Sequence, residues 1–439
     1  MSLKKNLAIG LLGVSTLASA QSNKIDFVEY DLDNGLHVIL HQDNSTPIVG
    51  VTMMYHVGSK NEVVGKTGMA HFFEHLLFEG SENIGRGEFD KYIENAGGVL
   101  NANTSQDRTF YYEVLPSNQL ELGLWLESER LLHAKVEKIG IETQREVVKE
   151  ERRQRYDNTP YGTILEETFK RAYTEHPYRW TPIGSMEDLN AAKEEDFMEF
   201  YKTYYVPNNA VLSIAGDIDI PTAKKLISKY FKDIPKGTKP MYIPEVKSTM
   251  LETEVRDTVY DNIQLPAVVQ AYRVPANGDD DSYAVELLSK LLSQGESSRL
   301  QKSLVDEKQL ALAVGAFPLG TEHPGITLAF CIANMGVDPK TAEEAMDAEI
   351  AKVQSELISN EELQKLKNQV EAEFVSGYTR VVGIAESLAN YHMYKGDANL
   401  INTEIEKYLK VTPQDIQRVA KKYFTKDNRV VLYYLAKQS

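Results

Sequence analysis

The chain has 439 residues, and 64 acidic side chains against 48 basic ones give a formal net charge of −16 at pH 7. A surface this acidic excludes nucleic acid and anionic membrane as electrostatic partners. A single cysteine, Cys331, excludes an intrachain disulfide, and 42% hydrophobic residues supply cores for two or three domains.

Lys4-Lys5, an apolar run from Leu7 to Leu17, and Ala18-Ser19-Ala20 compose a secretory signal peptide over residues 1–20. Its apolar core is too short to span a bilayer, and no later run is long enough. Export is expected, to the periplasm in a Gram-negative cell, with the mature charge near −18 once Lys4 and Lys5 are removed.

Phe27 to Tyr30, the turn Asp33-Asn34-Gly35 and Leu36 to His41 predict a β-hairpin, and Val49 to His56 predicts another strand. His37, His41 and His56 alternate with apolar residues and read as surface or packing histidines. Behind Gly65 and Gly68 a helix begins near Thr67 and carries His71, Glu74 and His75. At this spacing the three side chains share one side of the helix. Two neutral imidazoles can hold one Zn²⁺, with Glu74 placed to take a proton from the attacking water. The order H-x-x-E-H is the inverzincin signature.

Arg86 to Asn95 predicts a helix that ends on Gly97-Gly98, followed by the extended polar stretch Val99 to Ser105 and the strand Asp107 to Val114. A polar strand beside a metal site is either plain sheet edge or a rail for an extended peptide. Gln119 to His133 predicts an amphipathic helix, and a highly charged helix starts near Glu137. A catalytic zinc site needs a third protein ligand, for which Glu150 and Glu151 are the candidates on that helix. Cys331, within Ile326 to Ile332, reads as a small buried hydrophobe on a strand.

An internal echo indicates duplication. Asp196-Phe197, Tyr204-Tyr205 and Asn209-Ala210-Val211-Leu212 recur about 219 residues on as Asp415-Ile416, Tyr423-Phe424 and Asn428-Arg429-Val430-Val431. The expected organisation is a metal-binding domain over residues 21–235, a linker over 236–250 rich in proline, and a homologous domain without metal over 251–439.

The motifs H-F-F-E-H-L-L-F-E-G, E-N-A-G-G-V-L-N-A-N-T and R-E-V-V-K-E-E-R-R, with His176-Pro177-Tyr178 and Pro182-Ile183-Gly184, resemble the family of pitrilysin, insulin-degrading enzyme and the mitochondrial processing peptidase β subunit. The resemblance implies an α+β fold of two homologous domains, each a mainly antiparallel sheet with helices packed on one face, forming half of a clamshell chamber. It implies Glu151 as the third zinc ligand, with Glu150 its solvated neighbour. It also implies a zinc endopeptidase acting on short or unfolded peptides, held along Asn101, Ala102 and Asn103.

Two departures stand against that pattern. Catalytic relatives carry an Arg and a Tyr in the second domain, where alignment on Ser297-Ser298-Arg299-Leu300 puts Val305 and Leu312. Neither side chain donates a hydrogen bond, so the expectation is a heterodimer in which a homologue supplies the Arg and Tyr. A non-catalytic peptide-binding or assembly subunit of the same fold is the alternative. Gln144 stands where several relatives have a Glu near the zinc site.

Overall fold

The computed structural model describes residues 24–239, 241–242, 244 and 250–437. The expected signal peptide lies outside the described residues, as do positions 240, 243 and 245–249 of the expected linker. Among the described residues no helix is long and apolar enough to cross a membrane.

Among the described residues eleven strands form two sheets. In chain order they are β1 (Val28–Asp31), β2 (His37–Gln42), β3 (Ile48–Tyr55), β4 (Val99–Thr104), β5 (Thr109–Pro116), β6 (Ala210–Gly216), β7 (Val255–Asp261), β8 (Ala267–Arg273), β9 (Ala311–Leu319), β10 (Ile326–Ala333) and β11 (Arg429–Ala436). The first sheet runs β1-β2-β6-β3-β5-β4 and the second β7-β11-β8-β10-β9. Without β1 the two orders are the same. Each sheet also has one parallel pair, β2 with β6 and β7 with β11, among antiparallel neighbours. The β1–β2 hairpin turns at Gly35, whose φ of +86° suits glycine. Asn34 does more than turn the chain, because its Nδ2 donates to Phe231 O at 2.8 Å and Ile234 O at 2.9 Å.

The echo has a physical cause. Helices Glu194–Tyr204 and Pro413–Tyr423 each end in aromatics and hand over to a sheet strand through one tight turn. In the first repeat Asn209 Nδ2 donates to Tyr204 O (2.8 Å) and His56 O (3.3 Å). In the second, Asn428 Nδ2 donates to Tyr423 O (2.7 Å) and Arg273 O (2.8 Å). One asparagine thus satisfies a helix-end carbonyl and ties it to the end of a neighbouring strand.

Each sheet carries its own repeat's helices on one face. Its other face is covered by a helix from the other repeat, which sequence periodicity did not reveal. Helix Ile164–Ala172 and the turn after it bring Phe169, Tyr173 and Tyr178 onto Val269, Leu328 and Leu432 of the second sheet. Reciprocally, helix Val381–Lys395 lays Ile384 and Leu388 on Ile39, Met54, Phe110 and Val211 of the first. At about 1.5–3 kcal/mol per large buried apolar side chain, these two crossings outweigh any exposed ion pair between the repeats.

A buried polar cluster flanks the crossings. Glu322, between β9 and β10, meets His56 Nε2 at 2.7 Å and the ammonium of Lys60, while its N–H donates to Asp107 Oδ2 at 2.9 Å. His176 Nε2 and His323 Nδ1 lie 2.8 Å apart beside it. His56 therefore belongs to the contact between repeats, whereas His41 bonds locally to Asp26 O (2.6 Å).

Candidate metal centre

The helix bearing the two histidines is Met69–Leu76. Gly68 begins it at φ +89°, and Gly184, at φ +72°, lies against it so closely that a Cβ on Gly184 would fall 2.5 Å from Gly68 Cα. The buried Glu62 carboxylate accepts from Gly68 N and Ala70 N, each at 2.9 Å, and so caps the helix from outside its own turn. Phe72, Phe73 and Leu76 are buried in the core, and Tyr111 Oη donates to Phe73 O at 2.8 Å. With that face anchored, His71, Glu74 and His75 are directed the other way.

The second contributor is helix Lys138–Arg152, which continues through a wider turn, Arg153–Asp157, closed by Asn158 N on Arg153 O (2.8 Å). Arg152 Nη1 donates to Gly184 O at 2.6 Å, so the Pro182-Ile183-Gly184 segment joins the start of one helix to the end of the other. Glu151 Oε2 lies 3.2 Å from His75 Nε2 and 3.6 Å from His71 Nε2. Zinc bound tetrahedrally to N and O donors at about 2.0–2.1 Å has donor–donor edges of about 3.3 Å, so these three atoms fit the ion. Arg155 holds the other oxygen, Glu151 Oε1, at 2.7 Å, leaving Oε2 for the histidines. Glu150 turns to solvent, paired with Arg153 (3.0 Å) and Gln154 (3.1 Å).

Burial, with His75 beside it, holds the His71 ring down at about 4, so the ring is neutral and keeps a lone pair for a cation. Its Nδ1 is buried without a hydrogen-bond partner among the described residues, so packing rather than a second carboxylate sets the ring's orientation. Burial also raises Glu74 above the usual carboxylate range, which favours proton acceptance. Thr104 Oγ1 donates to Glu74 Oε2 at 2.6 Å, a contact that H-x-x-E-H spacing could not suggest.

Thr104 is the last residue of β4, whose outer edge has no strand beside it among the described residues. Asn101, Ala102 and Asn103 lie on this edge, and Asn101 Oδ1 accepts from Ala102 N at 2.8 Å. The edge thus lies next to the helix carrying the histidines, joined to it through Thr104 and Glu74. Gln144 is elsewhere occupied, its Nε2 on Glu79 Oε1 at 2.6 Å. Val305 packs half-buried in the second core, and Leu312 stands on edge strand β9, 62% exposed.

The repeat offset carries His71 to Lys290 and His75 to Gln294. Lys290 Nζ lies 2.6 Å from Glu373 Oε2, and Gln294 Nε2 donates to Glu373 Oε1 at 2.7 Å.

Residues 37–181 match the family model described as insulinase (peptidase family M16), and residues 191–370 match the one described as the peptidase M16 inactive domain. Zinc protease PqqE of Helicobacter pylori is 33% identical over 99% of both chains. The mitochondrial-processing peptidase subunit beta of Lentinula edodes is 25% identical, covering 89% of this chain and 86% of its own. A crystal structure of a protease from Helicobacter pylori superposes with a TM-score of 0.89 at 32% identity, over 93% of this chain and 99% of that one. The first half of the periplasmic protease PqqL of Escherichia coli shares the fold, with a TM-score of 0.75 at 20% identity over 94% and 92%. On its duplicated fold, and on the likeness of nearly its whole length to a named zinc protease, the chain belongs to peptidase family M16.

Proposed function

We propose that the chain is a zinc-dependent endopeptidase of the periplasm and the metal-bearing subunit of a heterodimer. The observation that carries this is the convergence of His71 Nε2, His75 Nε2 and Glu151 Oε2. Zinc bound there would supply a Lewis acid that polarises a peptide carbonyl and makes water a better nucleophile at neutral pH. Glu74, raised by burial and held by Thr104, takes the proton of the attacking water and returns it to the leaving amine. The peptide adds as a strand along Asn101, Ala102 and Asn103, where backbone pairing tolerates many sequences. Short or unfolded chains can present such a strand.

Val305 and Leu312 argue for a partner, since neither donates to the oxyanion that forms during hydrolysis. They also favour the second reading, a subunit that binds peptide or zinc without turnover. Periplasmic export rests on the leader-like residues 1–20 and on the likeness to PqqL, described as a periplasmic protease. Glu74→Gln tests the enzyme reading. It keeps zinc and lowers peptide cleavage by about 10²–10⁴-fold; a variant cleaving at the normal rate would refute Glu74 as the base.

A further inference from the structure

Of the nine histidines, two belong to the metal centre, and five of the others stand on contacts between the repeats. Four of those five form two pairs, and each pair closes one crossing. His176 follows helix Ile164–Ala172, which lies on the second sheet, and meets His323 in the turn between β9 and β10 of that sheet. Reciprocally, His392 is on helix Val381–Lys395, which lies on the first sheet, and its ring is stacked on His37 of β2 with centroids 3.3 Å apart and planes 8° from parallel.

The hydrogen bonds of the first pair fix both tautomers. Tyr178 N donates to His176 Nδ1 at 3.1 Å, so the proton of the neutral ring is on Nε2 and is donated to His323 Nδ1 at 2.8 Å. Both Nδ1 lone pairs are thereby used. A further proton on either ring displaces one of these two bonds, so the closed joint holds two neutral rings. Lys60 and Arg273 face the pair with positive charge, Asp107 and Glu322 with negative charge, and His56, Tyr173 and Tyr178 complete its surroundings, with Glu175 next in the chain. Burial, with His323 beside it, holds His176 down at about 4, and burial with Lys60 nearby lowers His323.

The second pair tolerates one charge at most. Asp31 Oδ1 and Glu29 Oε2 stand 2.8 and 3.2 Å from the two nitrogens of His37, so His37 is the ring placed to carry it. A proton on His392 as well would set two imidazoliums face to face. Burial and then His37 lower His392, against the pull of Glu29 and Asp31.

We propose that the interlock of the two repeats is a pH-sensitive joint, closed by these two histidine pairs at neutral pH and loosened when His176, His323 and His392 take up protons. Each of these rings binds a proton more readily once its pair is parted. Closure is therefore complete above the free-imidazole value of about 6.5 and is lost as pH falls toward about 4. Glu322, held at about 2, titrates in a lower range. The release reaches the metal centre. Asp107, in the turn after β4, accepts from Tyr178 Oη and from Glu322 N, so parting His176 from His323 loosens the end of the strand that holds Glu74 through Thr104.

The test is amide hydrogen exchange of the mature chain, read by mass spectrometry over helices Ile164–Ala172 and Val381–Lys395 at about pH 7.5 and about pH 5 and corrected for intrinsic rates. The opening constant of the first helix is expected to rise at least about 30-fold on acidification. His176→Asn keeps an acceptor for the Tyr178 N–H and cannot be protonated, so it is expected to reduce that rise by about 30-fold. His392→Phe keeps a flat ring on His37 and is expected to lessen the rise over the second helix. His71 and His75 are intact in each variant, so events at the metal centre affect all three proteins alike. The readout is amide exchange, which makes the result independent of the peptidase reading. Equal corrected protection at the two pH values in the wild type would overturn the proposal, as would a wild-type rise in His176→Asn. If His176→Asn fails to fold, His323→Asn, which keeps an acceptor for His176 Nε2–H, takes its place under the same criterion.

Discussion

At the scale of single residues, the H-x-x-E-H spacing was enough to select His71, Glu74 and His75, because helical geometry leaves little freedom at i, i+3 and i+4. It was not enough to separate Glu150 from Glu151. That choice depends on which side of helix Lys138–Arg152 meets the histidines, and Arg153 and Gln154 hold Glu150 on the far side. Thr104 was invisible for a different reason: its partner, Glu74, is 30 residues away, and only the pairing of β4 beside the helix brings them together. His37 was read as a packing histidine, and its carboxylate neighbours emerge only from the β1–β2 register. Replacing Thr104 by Val keeps the side chain's volume and removes the donor to Glu74. Cleavage should fall by about 10–100-fold with zinc content unchanged. An unchanged rate would mean that the 2.6 Å contact has no part in placing the base.

At the scale of elements, the strands and helices followed from alternation and glycine breaks, and their ends moved by a few residues. The helix expected from Arg86 begins at Glu88, because Gly87 at φ +68° is its natural start. The Pro182-Ile183-Gly184 motif acquires a purpose only in three dimensions. Gly184 lies against Gly68 at one helix start and receives Arg152 from the end of the helix that carries Glu151. Gly184→Ala brings a Cβ to 2.5 Å from Gly68 Cα and 2.6 Å from Thr67 O, both backbone atoms, at a left-handed φ. The cost should be about 1–3 kcal/mol, visible as a lower melting temperature together with weaker zinc retention. Wild-type stability and wild-type zinc affinity in this variant would show that the backbone contact does not set the spacing of the two helices.

At the scale of the whole molecule, the duplication was legible because asparagine, aromatics and β-branched residues repeat at a fixed offset. The interlock was not, since a helix covering the other repeat's sheet leaves the same amphipathic pattern as one covering its own. Glu322 belongs to this scale. Burial alone would raise its carboxyl, but the hydrogen bond from His56 and the charge of Lys60 outweigh burial and hold it down at about 2. The folded value lies below the unfolded one of about 4.3, so the contribution is complete above that pH and is lost as pH falls toward about 2. It is on the order of 2–3 kcal/mol. Unfolding followed against pH should show an acid-sensitive limb in this window, flattened in Glu322→Gln; parallel curves for the two proteins would remove Glu322 from the account.

As proposed above, this chain holds the zinc and the base of a split peptidase whose second subunit completes the site. Its most direct test is hydrolysis of quenched peptides by the zinc-loaded mature chain, first alone and then mixed with a homologue that carries the Arg and Tyr replaced here by Val305 and Leu312. Bound zinc is expected in both samples and strong cleavage only in the mixture, lowered about 10²–10⁴-fold by Glu74→Gln. Full cleavage by the chain alone would contradict the split site, and zinc without cleavage in the mixture would contradict the peptidase itself.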